Sequence, residues 1–359
     1  MPKNNKKIDS PAFFIGKGNG ELISFGSGQP DLPPPPEVFK ILPDYRDFKY
    51  GLVQGQENLR QALAKQYEGA SMNSFVITNG ASEALDLVLR ALYKPGAKIL
   101  LPRPYYYSYP SNVRLAFMEP VYYDLVRGKI DFENFAKQIK GCRAVLINSP
   151  ANPTGSIQDL DVLKKIEKLA HDLGIYIISD EVYKDLIYER ENYLFKGKKI
   201  ITLNSFSKTF AMCGFRVGYV YARERWLIEK IVEMKTHISM NTNILGQEMA
   251  FEATKVPRSY IDAQVKIWKE RRDLIYHGLL DLGLDLWKPE GAFYVFPKFK
   301  NPNKVVNDLY YKYKVITYDG TWFGDPGRVR FSYALDAEKI KEGLQRLKKY
   351  LGKEYKKNA

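Results

Sequence analysis

Ile175-Tyr-Ile-Ile178 runs directly into Ser179-Asp180-Glu-Val-Tyr183, and a little further on Ile200-Ile-Thr-Leu203 runs into Asn204-Ser205-Phe-Ser207-Lys208. Both are short, continuous apolar runs, the pattern of strands covered on both faces, and both release polar side chains at their carboxyl ends. Upstream, Phe75-Val-Ile-Thr78 leads to Asn79-Gly-Ala-Ser82 and a helical pattern over residues 81–91, with Leu85, Val88 and Leu89 on its apolar side. Ala144-Val-Leu-Ile147 leads to Asn148-Ser-Pro-Ala-Asn152-Pro-Thr-Gly155. Ile99-Leu-Leu101, Val121-Tyr-Tyr123 and residues 217–221 supply further strands, and residues 159–173 form an amphipathic helix that Gly174 stops. This alternation predicts an α/β fold with a mainly parallel sheet covered by helices. In such sheets ligands sit outside the carboxyl ends of the strands. Four strand ends therefore bring a phosphate-type loop, an amide, a carboxylate and a lysine to one edge.

Beyond residue 258 the pattern changes. A long helical stretch over 260–280 precedes a short strand in Gly291-Ala-Phe-Tyr-Val-Phe296, two more at 315–317 and 329–332, and an amphipathic helix over 337–350. With 359 residues, 45% of them hydrophobic, the chain suits two domains at roughly 100–200 residues each. Residues 31–257 are expected to form the large domain and 258–359 a smaller α/β domain, with the N-terminal segment 1–30 associated with the latter. The four prolines Pro33 to Pro36 read as an extended connector.

Composition narrows the function. Two cysteines, Cys142 and Cys213, and three histidines, His171, His237 and His277, make no disulfide scaffold, and no pair has zinc-ligand spacing, so no metal is expected. No run of ~20 apolar residues predicts a membrane span and the polar N-terminus is no secretory signal, so a soluble, cytoplasmic protein is expected. The net charge of +14 raises the question of nucleic acid. The lysines are spread along the chain, clustering mildly at Lys3, Lys6, Lys7 and at Lys348, Lys349, Lys353, Lys356, Lys357, and their excess over arginine fits a heat-adapted surface. Nucleic acid and membrane are not expected partners.

Two nucleotide motifs fail. Lys208-Thr209 could end a P-loop, but Thr202 and Ser207 occupy its glycine positions; Gly16-Lys-Gly18 begins a dinucleotide fingerprint whose third glycine falls on Glu21. A different constellation remains. A lysine that attacks carbonyls must be unprotonated, which desolvation or neighbouring cations arrange. Lys208, with serines before it and Arg216 eight residues on, suggests an anion site beside a reactive amine. Gly80-Ala81-Ser82 at a helix start offers backbone N–H groups to the same anion. Asp180 at a strand end is costly unless it meets a buried cation such as a protonated pyridine nitrogen; a helix cap is its plainer explanation.

Ser205-Phe-Ser-Lys-Thr-Phe210 with Gly214-Phe-Arg-Val-Gly218, Asn152-Pro-Thr-Gly155 and Asp180-Glu-Val-Tyr183, in this arrangement, resembles the fold type I aminotransferases of class I/II that use pyridoxal 5'-phosphate (PLP), nearest the aspartate/aromatic/alanine branch. The resemblance extends from Gly28-Gln-Pro-Asp31 to Arg330-Phe-Ser-Tyr-Ala334. It implies a large PLP domain and a transfer of the amino group between an L-amino acid and a 2-oxo acid through an internal aldimine on Lys208, which then serves as general base. Asp180 would hold the pyridine nitrogen protonated, and Asn152 and Tyr183 would hydrogen-bond the ring's phenolic oxygen. Ser205, Arg216, Ser82 and the backbone of Ala81 would hold the phosphate. Tyr106, in Pro104-Tyr-Tyr-Tyr-Ser-Tyr109, would stack on the ring, with Tyr105 the residue it could be confused with and core packing the plainer alternative for the cluster.

The resemblance further implies that Arg330 clamps the substrate α-carboxylate, a task its planar fork suits. Arg328 is assigned to solvent. Gly28 would let the N-terminal segment come close to the substrate, and Tyr50, in Tyr50-Gly-Leu-Val-Gln-Gly55, would reach the phosphate of a neighbouring subunit in a homodimer with shared sites. Ser82 stands where some members of the branch carry a lysine for acidic side chains, and no second arginine matches a distal-carboxylate position, so alanine and aromatic donors stay open. Cys213 is expected to be a small packed residue. A carbon–sulfur β-lyase on the same scaffold, and more remotely a nucleic-acid-binding protein that kept it, are the alternative functions.

Overall fold

The computed structural model describes residues 8, 10–14 and 21–355. The fingerprint-like Gly16-Lys-Gly18 and the terminal lysines Lys3, Lys6, Lys7, Lys356 and Lys357 lie outside them.

Among the described residues thirteen strands follow one another: β1 (Ile23–Ser24), β2 (Phe75–Thr78), β3 (Lys98–Arg103), β4 (Glu119–Val126), β5 (Lys129–Ile130), β6 (Ala144–Asn148), β7 (Tyr176–Asp180), β8 (Ile200–Ser205), β9 (Gly218–Ala222), β10 (Tyr294–Val295), β11 (Val315–Ile316), β12 (Tyr318–Asp319) and β13 (Val329–Ser332). Eight of them form one sheet in the order β2-β9-β8-β7-β6-β3-β4-β5. The run β8-β7-β6-β3-β4 is parallel, while β9 is antiparallel to both its neighbours and β5 returns as a hairpin on β4. Every residue of β2, β6, β8 and β9 is buried, as the continuous apolar runs require. Side chains alternate between the two covers. Leu146, Ile178 and Leu203 join the apolar cluster of the helices Gly80–Leu92 and Arg225–Ile238, whereas Val145, Ile147 and Ile177 join that of Phe132–Gln138 and Leu160–Asp172.

The C-terminal part builds a three-stranded antiparallel sheet, β10-β13-β12, beside the long helix Arg258–Asp281 and the last helix, Ala337–Tyr355. Ile23–Ser24 pairs in parallel with Val315–Ile316, and Ile23 and Phe25 share a core with Val315, Phe331 and Leu347. The strand expected over Gly291–Phe296 shrinks to Tyr294–Val295; single hydrogen bonds from Tyr333 N–H to Phe293 O and from Val329 N–H to Pro297 O extend it at either end. Its partner is only four residues long, and Pro297 cannot donate. Of the proline run, Pro36 opens a 3₁₀ turn, Pro36–Phe39, since proline's fixed φ suits a first helical position.

Candidate active site

Register places the chemistry. Asn148 lies opposite Asp180 and Asp180 opposite Leu203, so β6, β7 and β8 end together. The antiparallel strand β9 starts at that edge, with Gly218 opposite both Ser205 and Thr78. A Cβ on Gly218 would stand 2.6 Å from Gly80 C and 2.8 Å from Ala81 N, so only glycine admits the helix N-terminus this close. The result is a cleft of about 350 Å³, within the size range of small-molecule sites, lined by Lys208, Asp180, Tyr183, Tyr106, Asn152 and Arg330. Ala81, Ser82, Ser205, Arg216 and Gly28 line it too, whereas Tyr105 does not.

Lys208 sits in the single-turn helix Phe206–Thr209, whose start is capped by Ser205 Oγ accepting from Ser207 N–H. Its Nζ donates to Gly28 O at 2.8 Å and lies 3.8 Å from Cys213 Sγ. Burial pushes the ammonium below its ordinary value; the thiol opposes this, and the guanidiniums of Arg330 and Arg216 add to it. Cys213, expected as a small packed residue, lines the cleft, faces the Lys208 amine and donates to Ser207 O at 3.0 Å.

Asp180 accepts from Tyr109 Oη at 2.6 Å and from Val182 N–H at 3.2 Å. Burial raises its carboxyl, and these two donors offset part of that rise. The backbone bond makes a local turn and no helix follows Asp180, so the helix cap offered as its plainer explanation does not form. Tyr183 Oη pairs with Tyr294 Oη at 2.7 Å, and burial lifts the Tyr183 phenol well above its usual range.

Arg330, 2% exposed, donates Nη1 to Asn152 Oδ1 at 3.0 Å and Nη2 to Gly26 O. Its guanidinium lies over the rings of Tyr294, Tyr318 and Phe323 at 4.6–4.7 Å. Its Nε is buried with no hydrogen-bond partner. A cation so placed, with one orphaned donor and no carboxylate among those bonds, is built for an incoming anion. Arg328, expected in solvent, is instead 12% exposed, lying over Trp287 at 4.4 Å and donating to Phe296 O at 2.9 Å. It immediately precedes β13, where packing against the Trp287 ring covers its stem.

At the other end of the cleft Gly80, φ +79°, begins the helix whose N-cap Asn79 caps no helix N–H with its side chain. Arg216, itself left-handed at φ 57°, fills the space over Gly80 and donates to Asn79 O at 3.2 Å and Cys213 O at 3.0 Å. A helix N-terminus with uncapped N–H groups beside a guanidinium held by carbonyls is an anion site. Tyr50 lies elsewhere: it is 83% exposed and does not line the cleft.

Reading the sequence alone misses Tyr109, Asn148 and Tyr294. Asn148, a polar residue ending an apolar strand, carried the same signal as Asp180, and it donates to Asp180 O at 3.1 Å. Tyr109 was hidden in a tyrosine-rich run, and Tyr294 meets Tyr183 only through the tertiary fold.

Similarity to known proteins agrees with this geometry. The family profile "Aminotransferase class I and II" matches residues 20–347. A probable aspartate/prephenate aminotransferase of Aquifex aeolicus is 33% identical, over 92% of this chain and 91% of its own. Among solved structures, an aromatic aminotransferase of Pyrococcus horikoshii superposes with a TM-score of 0.89 at 30% identity, covering 96% of this chain and all (100%) of its own. An aspartate aminotransferase of Thermus thermophilus with maleate gives 0.88 at 28% identity over 91% of both chains. With a whole-length profile match, relatives of this similarity, and a lysine, a carboxylate and an arginine meeting in one cleft, the chain belongs to the class I and II aminotransferases.

Proposed function

We propose that this aminotransferase holds pyridoxal 5'-phosphate in the cleft against Lys208 and moves an amino group between an L-amino acid and a 2-oxo acid. The observation that carries the reading is Lys208 Nζ itself: a cleft-facing amine whose ammonium form is disfavoured, with a carboxylate in the same cleft and an arginine with an unpaired buried N–H. When bound, the cofactor supplies the aldehyde that takes the amino group and the ring that accepts the electrons released at the substrate Cα.

The chain's own groups have the following tasks. Asp180 holds the proton on the pyridine nitrogen. Asn152, whose Oδ1 is taken by Arg330, would offer its amide N–H₂ to the phenolic oxygen, and Tyr183 would donate its hydroxyl there. The N–H groups of Ala81 and Ser82, the hydroxyls of Ser82 and Ser205 and the Arg216 fork take the phosphate. Tyr106, in the lining of the cleft, would stack on the ring. Arg330 receives the substrate carboxylate, Gly28 closes the N-terminal side, and Lys208 Nζ takes the Cα proton and returns it.

The exposed Tyr50 supports a homodimer in which it completes the partner's phosphate site. The pairing of Ile23–Ser24 with Val315–Ile316 supports a small domain built from residues 1–30 and 258–359 beside a PLP domain of 31–257. No helix among the described residues is long and apolar enough to cross a membrane, and no group of three or more potential metal ligands occurs among them.

The test is borohydride trapping. The protein loaded with PLP should give one reduced adduct, mapped to Lys208, and Lys208→Ala should give neither adduct nor transamination. Near-normal turnover in that variant, or an adduct at another lysine, rejects the reading. Amino donors assayed against 2-oxoglutarate and pyruvate then set the substrate range.

A further inference from the structure

Behind the anion turn lies a buried ion pair that none of the tasks above uses. Glu83, in the first turns of the helix Gly80–Leu92, reaches back to Asn79, accepting its backbone N–H at 2.6 Å and its side-chain amide at 3.1 Å. Lys235, on the helix Arg225–Ile238, has a side chain 0% exposed and donates to Glu83 at 3.0 Å and to Ser239 Oγ at 2.9 Å. Ser239 Oγ in turn donates to the other Glu83 oxygen. Burial pushes the Glu83 carboxyl up, but the donors Ser239, Asn79 and Lys235 outweigh it and hold the group ionised below its ordinary value. Burial pulls Lys235 down while Glu83 pulls it back; two short bonds to acceptors keep it the charged donor.

Such a pair is a poor way to gain stability, since desolvating both charges costs about what their attraction returns. Its position gives it another use. Asn79 is gripped at both ends, its N–H by Glu83 and its C=O by Arg216. The same turn presents the N–H groups of Ala81 and Ser82. An uncompensated carboxylate within a helical turn of them would repel any anion bound there.

We propose that Glu83 and Lys235 are positioning residues for the cofactor phosphate: Glu83 fixes Asn79 so that the turn and Arg216 converge on one anion, and Lys235 cancels the charge that Glu83 would otherwise present to it. This rests on the reading of the cleft as a PLP site.

The experiment compares two ligands of the apoprotein, pyridoxal 5'-phosphate and pyridoxal, which differ only in the phosphate, by equilibrium titration of absorbance. Lys235→Met should weaken the phosphorylated ligand about tenfold or more and leave pyridoxal within about twofold. The double variant Glu83→Gln/Lys235→Met should bring the phosphorylated ligand back to within about threefold of the parent, because the stranded charge is gone. Lys235→Arg should bind as the parent does. If Lys235→Met does not fold, Ser239→Ala, which removes one donor from Glu83, should show the same selective loss on a smaller scale. Equal weakening of both ligands, no weakening of either, or a double variant as poor as the single would overturn the inference. A parent apoprotein that binds neither ligand would instead remove the cofactor reading beneath it.

Discussion

Tyr109 Oη donates to Asp180 Oδ2 at 2.6 Å; the tyrosine is buried, and the carboxylate is half-buried in the lining of the cleft. The helix Tyr109–Leu115 begins with this tyrosine, three places after Tyr106, and both residues line the cleft. Burial alone drives the Asp180 carboxyl toward its neutral form, and the hydrogen bond from the tyrosine is the larger of the two forces against it. On the proposed reading Asp180 would have to stay charged to hold a pyridinium proton, and the hydrogen bond from the phenol favours that charge.

Replacing Tyr109 by Phe should therefore raise the Asp180 pKa. The acid limb of kcat/KM should move up, by about one pH unit for one lost hydrogen bond to a charged group. A pH profile superimposable on the parent's would show that Val182 N–H alone suffices.

Arg330→Ala should act mainly on kcat/KM. Deleting one partner of a buried charge pair costs about 2–5 kcal/mol, very roughly 30- to several-thousand-fold. Arg330→Lys should recover little, because an ammonium cannot present the guanidinium's two parallel donors. Steady-state kinetics with a fixed donor checks both. An unchanged kcat/KM in the alanine variant would place the carboxylate site elsewhere.

A Cβ on Gly28 would stand 2.0 Å from Tyr294 Oη. That hydroxyl is pinned at 2.7 Å to Tyr183, and Gly28 O accepts from Lys208. Gly28→Ala should push the N-terminal segment outward, with a stability loss of about 1–3 kcal/mol and a kcat/KM loss beyond it. Thermal unfolding read beside kinetics separates the two. Parental kinetics with a lowered Tm would mean that the segment only packs.

Glu181 points away from the cleft, into a pocket where Ser179, Thr202 and Tyr67 donate to it at 3.0, 3.2 and 3.3 Å. Burial raises its pKa from 4.5 to about 7. Between those values the folded chain keeps a proton that the unfolded chain releases, so stability falls as pH rises through the window and levels off above it. The full effect is about 3 kcal/mol. Glu181→Gln should remove this part of the slope between pH 4.5 and 7 in denaturant unfolding curves. A variant with the parent's slope would mean that Glu181 ionises normally in the fold.

The linear chain by itself determined the sheet and the edge where its polar residues meet. Phe75–Thr78 and residues 144–147 and 200–203 read as doubly covered strands because apolar runs of that length have no other economical burial, and the polar residues that follow them must emerge on one side of a parallel sheet; the structure adds Asn148, Asn204 and Ser205 to the strand ends. Lys208, Asp180, Asn152 and Ser82 were legible for that reason. Tertiary structure alone decided that Tyr107 lines the cleft beside Tyr106 while Tyr105 does not, that Tyr109 supports Asp180, that Cys213 faces Lys208, and that Tyr294 and Gly26 surround Arg330. Those contacts join segments as far apart as Gly26 and Arg330, and no local periodicity encodes a partner hundreds of residues away. The buried pair Glu83–Lys235 is the clearest case. In the sequence each is one more charged residue on a helix; only the packing of two helices against the same sheet removes both from water and makes each the other's necessary partner.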